Sequence, residues 1–498
     1  MNHLWWRYLA AFAALFCIQG KAWSRDDTIA KTPPMGWNSW NLFQINITES
    51  DVKAVTDAFV TSGLKDAGYQ YIVVDDCWSN SARDASNTLV AQSAKFPSGM
   101  KSLADYVHGK GLKFGMYASP TRITCCREAG SYGHETIDAG TFASWGVDFL
   151  KYDWCGVQSG EDNTNLTATD IIARYVTMRE ALKATNRPIL YALCEKGQKS
   201  NIVPGTWSDT VGHMWRIGGD ISASWSSIIA HIDEDASLGI YAGSTKGWND
   251  PDMLEVGNGS ITENENRAHF SMWCILAAPL ILGNDPSSMP SIIKTILTNK
   301  EAIAINQDSL GFQGVRIKKN GNQEVWVKPL KNGDRAVAFF NRDSAPAVIS
   351  VNWTDSLIKW NPTTKVAVRN IWVQSDSSNV SDGFSDSVAS HAVVLLRISN
   401  GISGVRQNGY RIVDGNPVKS ICVQKNAQGA RLFISMNETG LAAELLDIQG
   451  KNIYTPRVKS GWNLIPDKML GTGLNVVRIS NGQRSVAVLI LKAAKNSF

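Results

Sequence analysis

Charged residues recur in this chain at places where a folded protein would normally avoid them. In Phe149-Leu150-Lys151-Tyr152-Asp153-Trp154-Cys155 a short apolar run ends in a lysine and an aspartate two positions apart. Residues two apart on a strand share a face. Burying both charges is costly unless they serve each other or a ligand. Lys151 and Asp153 therefore face one polar pocket, and a lysine so placed favours an ionised carboxylate, the form a nucleophile needs. A structural ion pair at a strand end is the other reading of the same two residues. Asp75, Asp76, Glu195, Asp220, Asp252 and Asp285 also fall at or just after the ends of β-prone runs. There is no Cys-x-x-Cys pair, histidine cluster or glycine-rich phosphate loop, so no metal or cofactor is expected. Carboxylates gathered without these point to acid–base or nucleophilic chemistry on a neutral polar substrate.

The elements that would gather them alternate regularly. Strand-like runs are Met35–Trp40, Tyr71–Asp76, Lys113–Ser119, Phe149–Asp153, Ile189–Glu195, Met214–Asp220, Ile240–Asp252 and Pro279–Asp285. Between them lie helix-patterned segments such as Glu49–Ala67, Met100–Lys110, Ile137–Trp145, Ala168–Ala184, Trp225–Glu234, Glu263–Leu276 and Ser291–Leu297. Eight alternations predict a (β/α)8 barrel over 25–310, whose strand ends converge on one face. A doubly wound open sheet is the competing architecture, but its dinucleotide fingerprint is missing. Over 311–400 alternating runs separated by turns predict an antiparallel β-sandwich, and 401–498 reads as a further small all-β domain.

The chain has 498 residues, 44% hydrophobic and 19% charged, with a net charge of +4 and its basic residues scattered, which argues against nucleic acid as a partner. Arg7, the apolar run Tyr8–Ile18 and Ala22-Trp23-Ser24 predict an export signal over 1–24 and a secreted protein with no membrane insertion after cleavage. Beyond it stand Cys77, Cys125, Cys126, Cys155, Cys194, Cys274 and Cys422, an odd number that leaves at least one thiol free if the rest pair.

The ordered motifs Thr32-Pro-Pro-Met-Gly-Trp-Asn-Ser-Trp40, Val74-Asp-Asp-Cys-Trp78, Gly111-Leu-Lys-Phe-Gly-Met-Tyr117, Trp145-Gly-Val-Asp-Phe-Leu-Lys-Tyr-Asp153, Gly247-Trp-Asn-Asp-Pro-Asp-Met-Leu254 and Ala304-Ile-Asn-Gln-Asp308 resemble glycoside hydrolase family 27, the retaining α-galactosidases. The resemblance implies a partner, an α-galactoside, and two carboxylates for double displacement, Asp153 as nucleophile and Asp220 as acid/base. Read by itself, Asp220 is a helix N-cap ahead of Ile221. The resemblance further implies that Asp75 and Asp76 bind the 4- and 6-hydroxyls, and that Lys151, Glu195, Arg216 and Asp252 surround the remaining hydroxyls. Trp40, Tyr117 and Met253 would wall the pocket, with Trp37 and Trp248 in the core. Cys125 and Cys155 match the family's disulfide, although the adjacent Cys126 leaves that pairing open. Cys77 is expected unpaired, because the position of its usual partner is Ile45. Lys196 stands where the family has tryptophan, and Lys246 lies in a second altered loop.

Three rival activities remain. An α-N-acetylgalactosaminidase would carry a small residue in place of Glu195. A β-L-arabinopyranosidase would narrow the pocket near the 6-hydroxymethyl, and a silent sugar-binding protein would lack a catalytic carboxylate. The closing region, on Ala443–Gly450 and Gly473–Ile479, resembles the sorting domain of type IX secretion, which implies secretion machinery as a second partner. An accessory or carbohydrate-binding β-domain is the alternative.

Overall fold

The computed structural model describes residues 28–197 and 205–400, and, in the C-terminal region, the backbone of seven strands with few side chains. Eight parallel strands follow one another around a barrel: β1 Met35–Asn38, β2 Tyr71–Val73, β3 Lys113–Ala118, β4 Phe149–Asp153, β5 Leu190–Cys194, β6 Met214–Arg216, β7 Trp248–Asp250 and β8 Leu280–Leu282. β1 pairs with both β2 and β8. Just past β7, the Leu254 N–H bonds to the Ile281 carbonyl at 2.7 Å, which closes the ring.

The two-residue period of a strand sorts side chains into an inner and an outer layer. Ile72, Phe114, Leu150, Tyr152, Tyr191, Leu193 and Trp215 face the surrounding helices in the large outer core. Tyr71, Val73, Phe149, Leu190, Ala192, Met214 and Ile281 fill the barrel's interior floor. Glycine is required where strands approach most closely. A Cβ on Gly36 would stand 2.5 Å from the Tyr71 carbonyl oxygen. Three helices begin on capping boxes, Thr48 with Asp51, Thr167 with Asp170, and Thr262 with Glu265. The expected single helix Glu49–Ala67 is two, Glu49–Thr61 and Leu64–Ala67, broken at the left-handed Gly63. The expected run Ile240–Asp252 contributes only three residues to the barrel, because Gly243 and Gly247 turn the chain back on itself first.

The sandwich follows as β9 Val315–Asn320, β10 Gln323–Pro329, β11 Arg335–Asn341, β12 Ala347–Asn352, β13 Val366–Asn370, β14 Ser375–Val380, β15 Gly383–Val388 and β16 Val393–Ser399. Six strands in the order β14-β13-β16-β11-β10-β9 form one sheet, and β12 pairs with β15 in the other. Val325, Val327, Val337, Phe339 and Leu396 point between the sheets. Trp326, Ala338, Phe340 and Leu395 point towards the barrel helices instead. β9 and β15 carry only two apolar residues each, and all of β14 is exposed or nearly so. Polar edge strands protect a sheet from unwanted pairing, and they hide from hydrophobic pattern reading for the same reason.

The C-terminal strands form a separate unit. β17 Val418–Asn426, β18 Gly429–Met436 and β21 Gly461–Pro466 make a three-stranded sheet. β19 Ala442–Leu446, β20 Asn452–Tyr454, β22 Gly473–Ser480 and β23 Ser485–Lys492 make a four-stranded one. The export signal expected over 1–24 lies outside the described residues. Among the described residues no helix is long and apolar enough to cross a membrane.

Candidate active site

Above the apolar floor the inward positions turn polar. On β4 the ladder runs Phe149, Lys151, Asp153, and the same parity turns Asn38, Tyr117 and Arg216 inward on β1, β3 and β6. Of these, Lys151, Asp153, Tyr117 and Arg216 open on a cavity of ≈ 340 Å³ at the C-terminal ends of the strands. Both expected catalytic carboxylates, Asp153 and Asp220, line it, as do Asp75, Asp76, Lys151 and Arg216. Of the remaining expected residues, Trp40, Tyr117, Asp252 and Met253 line it too. Asn41, Trp154, Val157, Gln158 and Lys196 line it as well.

Glu195 does not. It is buried, with Oε2 accepting the Gly197 N–H at 2.9 Å. By strand parity it continues the outward series of Tyr191 and Leu193. Asp285 also lies apart, tied up in a turn with Ser287 and Ser288. Trp37 and Trp248 are fully buried, with their indole N–H groups bonded to the Asn284 and Ala30 carbonyls. Asp220 caps no helix. The following helix is Trp225–Asp235, and its cap is Ser224.

Lys151 is the electrostatic centre of the floor. Its Nζ stands 2.7 Å from Asp75 Oδ2 and 3.9 Å from Asp153 Oδ2. Burial alone would lower its pKa, but the charges of Asp75 and, to a smaller degree, Asp153 drive it above the ordinary lysine value. The ammonium therefore stays charged. It also lies 5.3 Å from the centre of the Tyr117 ring. Asn38 donates to Asp75 Oδ2 at 2.7 Å, a contact that composition alone does not reveal. The Asp153 carbonyl accepts the Ser119 hydroxyl at 2.6 Å, which anchors the end of β4.

Across the mouth, Arg216 Nη2 meets Asp252 Oδ2 at 2.9 Å and Asp220 Oδ1 at 3.1 Å. Asp252 is a non-glycine residue in the left-handed region, φ +79°. Surrounding contacts over-determine it: its Oδ2 accepts the Ile221 N–H and its Oδ1 the Met253 N–H, each at 2.8 Å. Strain held this way is common where a side chain must be aimed. Burial pushes the neighbouring Asp250 carboxyl up to about 6, against the pull of Arg216.

Asp220 differs from every other carboxylate here. Its side chain is 63% exposed, and Lys196 Nζ lies 2.6 Å from Oδ1. Partial burial would raise its pKa, but the charges of Arg216 and then Lys196 hold it well below the usual carboxylate range. Lys196, itself at φ +67°, is the departure from the family's tryptophan noted above, so the altered loop reaches the expected acid/base directly.

The cysteines carry the clearest correction. Cys125 pairs with Cys155, and Cys77, expected unpaired, pairs with Cys126. The missing partner at Ile45 is replaced from another loop: the adjacent Cys125 and Cys126 face opposite ways, one towards the end of β4 and one towards the end of β2. Cα–Cα separations of 5.5 Å and 5.0 Å suit both bonds. Cys194 and Cys274 are buried free thiols.

Comparison with known proteins agrees with this geometry. The family profile described as alpha galactosidase A matches residues 32–308, and that of the alpha galactosidase C-terminal beta sandwich domain matches 320–398. The alpha-galactosidase A of Cellvibrio japonicus is 43% identical over 78% of this chain and 96% of its own. The crystal structure of alpha-galactosidase I from Mortierella vinacea superposes with a TM-score of 0.71 at 35% identity, covering 76% of this chain and all of that one. An alpha-galactosidase from Saccharomyces cerevisiae, solved with raffinose, does so at 0.69 and 29% identity, covering 75% and 98%. The (β/α)8 barrel, the sandwich and the ordered motifs thus have one explanation: the chain belongs to the α-galactosidases of glycoside hydrolase family 27.

Proposed function

We propose that this enzyme releases terminal α-linked D-galactose from oligo- or polysaccharides by an exo-acting, retaining double displacement, with Asp153 as nucleophile and Asp220 as acid/base. The observation that carries the reading is the shared cavity: both carboxylates open on it together with the hydroxyl-binding set. In the first step Asp153 attacks the anomeric carbon while Asp220 gives its proton to the departing glycosidic oxygen. In the second, Asp220 takes a proton from water, which displaces Asp153 and yields α-galactose. Lys151 keeps Asp153 company as a charge partner, and the same ammonium faces the sugar through Asp75.

The environment of Asp220 suits the second step better than the first. Arg216 and Lys196 favour its ionised form. Once Asp153 is esterified its negative charge is gone, and that preference strengthens. The two cations then set the highest pH at which Asp220 carries the proton for the first step.

Galactose is favoured over its rivals by the Asp75-Asp76 pair in the cavity and by relatives named as α-galactosidases. Raffinose, bound in the yeast enzyme, is a reasonable substrate class. Initial rates on aryl α-D-galactoside, α-N-acetylgalactosaminide and β-L-arabinopyranoside test the choice. The galactoside should lead by at least about tenfold, the worth of one hydrogen bond to a charged group. Dominance of either other substrate overturns it.

We also infer export and a sorting role for residues 401–498, supported by the apolar run Tyr8–Ile18 and by the type IX resemblance. Continued export to the medium after removal of 401–498 would overturn the sorting role.

A further inference from the structure

We propose that the Cys77–Cys126 disulfide is a positioning device for Asp76, holding the two backbone donors that aim its carboxylate at the substrate. The inference rests on the reading of Asp76 as the ligand of the sugar's 6-hydroxyl. Asp76 is buried at the end of β2 and lines the cavity. Each of its oxygens accepts one backbone N–H at 2.8 Å: Oδ1 from Cys77 and Oδ2 from Cys126. These donors come from different loops, 49 residues apart in sequence, and the disulfide joins the same two residues.

Cys77 sits at φ +69°, a region that non-glycine residues occupy only when held there. Cys126 belongs to the turn between Thr124 and Glu128, in the loop after β3. Because Cys125 is bonded to Cys155, that turn is also tied to the end of β4, two residues beyond Asp153. The covalent path therefore links the strand ends that present Asp76 and Asp153. Burial and the nearby Asp75 push the Asp76 carboxyl up to about 7, while the two N–H donors act against the rise. Losing one donor would both release the side chain and favour its neutral form, which accepts hydrogen bonds less strongly.

The loops do not depend on this disulfide alone. Glu128 Oε2 accepts the Ser79 N–H at 2.9 Å and the Ser79 hydroxyl at 3.0 Å. Removing the disulfide should therefore alter the aim of Asp76 more than the fold.

The test compares an aryl α-D-galactoside with an aryl β-L-arabinopyranoside, which has the same ring hydroxyls but no 6-hydroxymethyl. The full-length Cys77→Ala/Cys126→Ala and Asp76→Ala variants are measured beside the wild type. Asp76→Ala should cut the galactoside-to-arabinoside ratio of kcat/KM by about a hundredfold; the double cysteine variant should cut it by about tenfold, through the galactoside KM, and it alone should keep arabinoside turnover within about twofold of wild type. If the double variant does not fold, Cys126→Ala alone reads the same ratio with Cys125–Cys155 intact. A ratio that falls for Asp76→Ala but not for the cysteine variants overturns the positioning role. A ratio unmoved by Asp76→Ala overturns the 6-hydroxyl reading, and the proposal with it.

Discussion

Asp153 and Glu324 are both buried carboxylates on strands, one in the barrel and one in the sandwich. Glu324, at the start of β10, meets Arg316 at 2.9 Å, Arg342 at 3.0 Å and the Trp326 indole N–H at 2.9 Å. The same two arginines reach Asp233 on the barrel helix Trp225–Asp235, so the group rivets the sandwich to the barrel. Asp153 has its nearest cation, Lys151, 3.9 Å away, and it opens on a cavity. A buried charge enclosed by matched partners serves the fold. One whose partner leaves acceptor capacity facing open space serves a ligand.

The largest effect that would break this contrast is at Asp153. Asp153→Asn should lower kcat on an aryl α-galactoside by at least about 10⁴-fold, with an unfolding midpoint close to wild type. Retained activity would make Asp153 another structural carboxylate. Lys151→Met comes next. It strips the ammonium from Asp75 and Asp153 together, and kcat/KM should fall about 10²–10³-fold, as for loss of a preorganised charge in a closed site. Glu324→Gln should do the reverse, costing about 2–3 kcal/mol in urea unfolding while leaving KM and kcat unchanged at 25 °C. A change in KM there would blur the line between the two regions.

The smallest expected effect is at Lys196. Asp220 is held low by neighbouring cations, so removing one in Lys196→Met lets its pKa rise. The protonated acid then persists to higher pH, and the basic limb of the kcat/KM profile should move up by about one unit, roughly the Coulomb energy of an exposed contact. A limb that stays put, or moves down, assigns the limb to another group.

The barrel was legible because eight β-prone runs alternate with helix-patterned segments, and several of them turn from apolar at the floor to charged near the mouth, as on Phe149, Lys151 and Asp153. The polar edge strands β9, β14 and β15 were not, since they bury too little to leave a pattern. Glu195 lies just past the end of β5 and follows outward-facing Leu193, so a place at a strand end does not by itself bring a carboxylate to the cavity. Asp220 could pass for a helix cap until the true cap, Ser224, was placed four residues on. Cys77 finds its partner across loops in Cys126 and not at Ile45, because pairing follows distance in space, which spacing along a chain does not encode. Asn38 could have been found: by strand parity it shares the inner face of β1 with Gly36, one level below the mouth.

The most direct measurement is covalent trapping. Incubation with 5-fluoro-α-D-galactosyl fluoride, which loses its anomeric fluoride in the first displacement and slows the second, followed by peptide mass spectrometry should place one 5-fluorogalactosyl group on the peptide carrying Asp153 and on that carboxylate. A label on Asp220 or any other residue, or rapid turnover of a good substrate with no covalent species under any condition, would contradict the assignment of Asp153 as nucleophile.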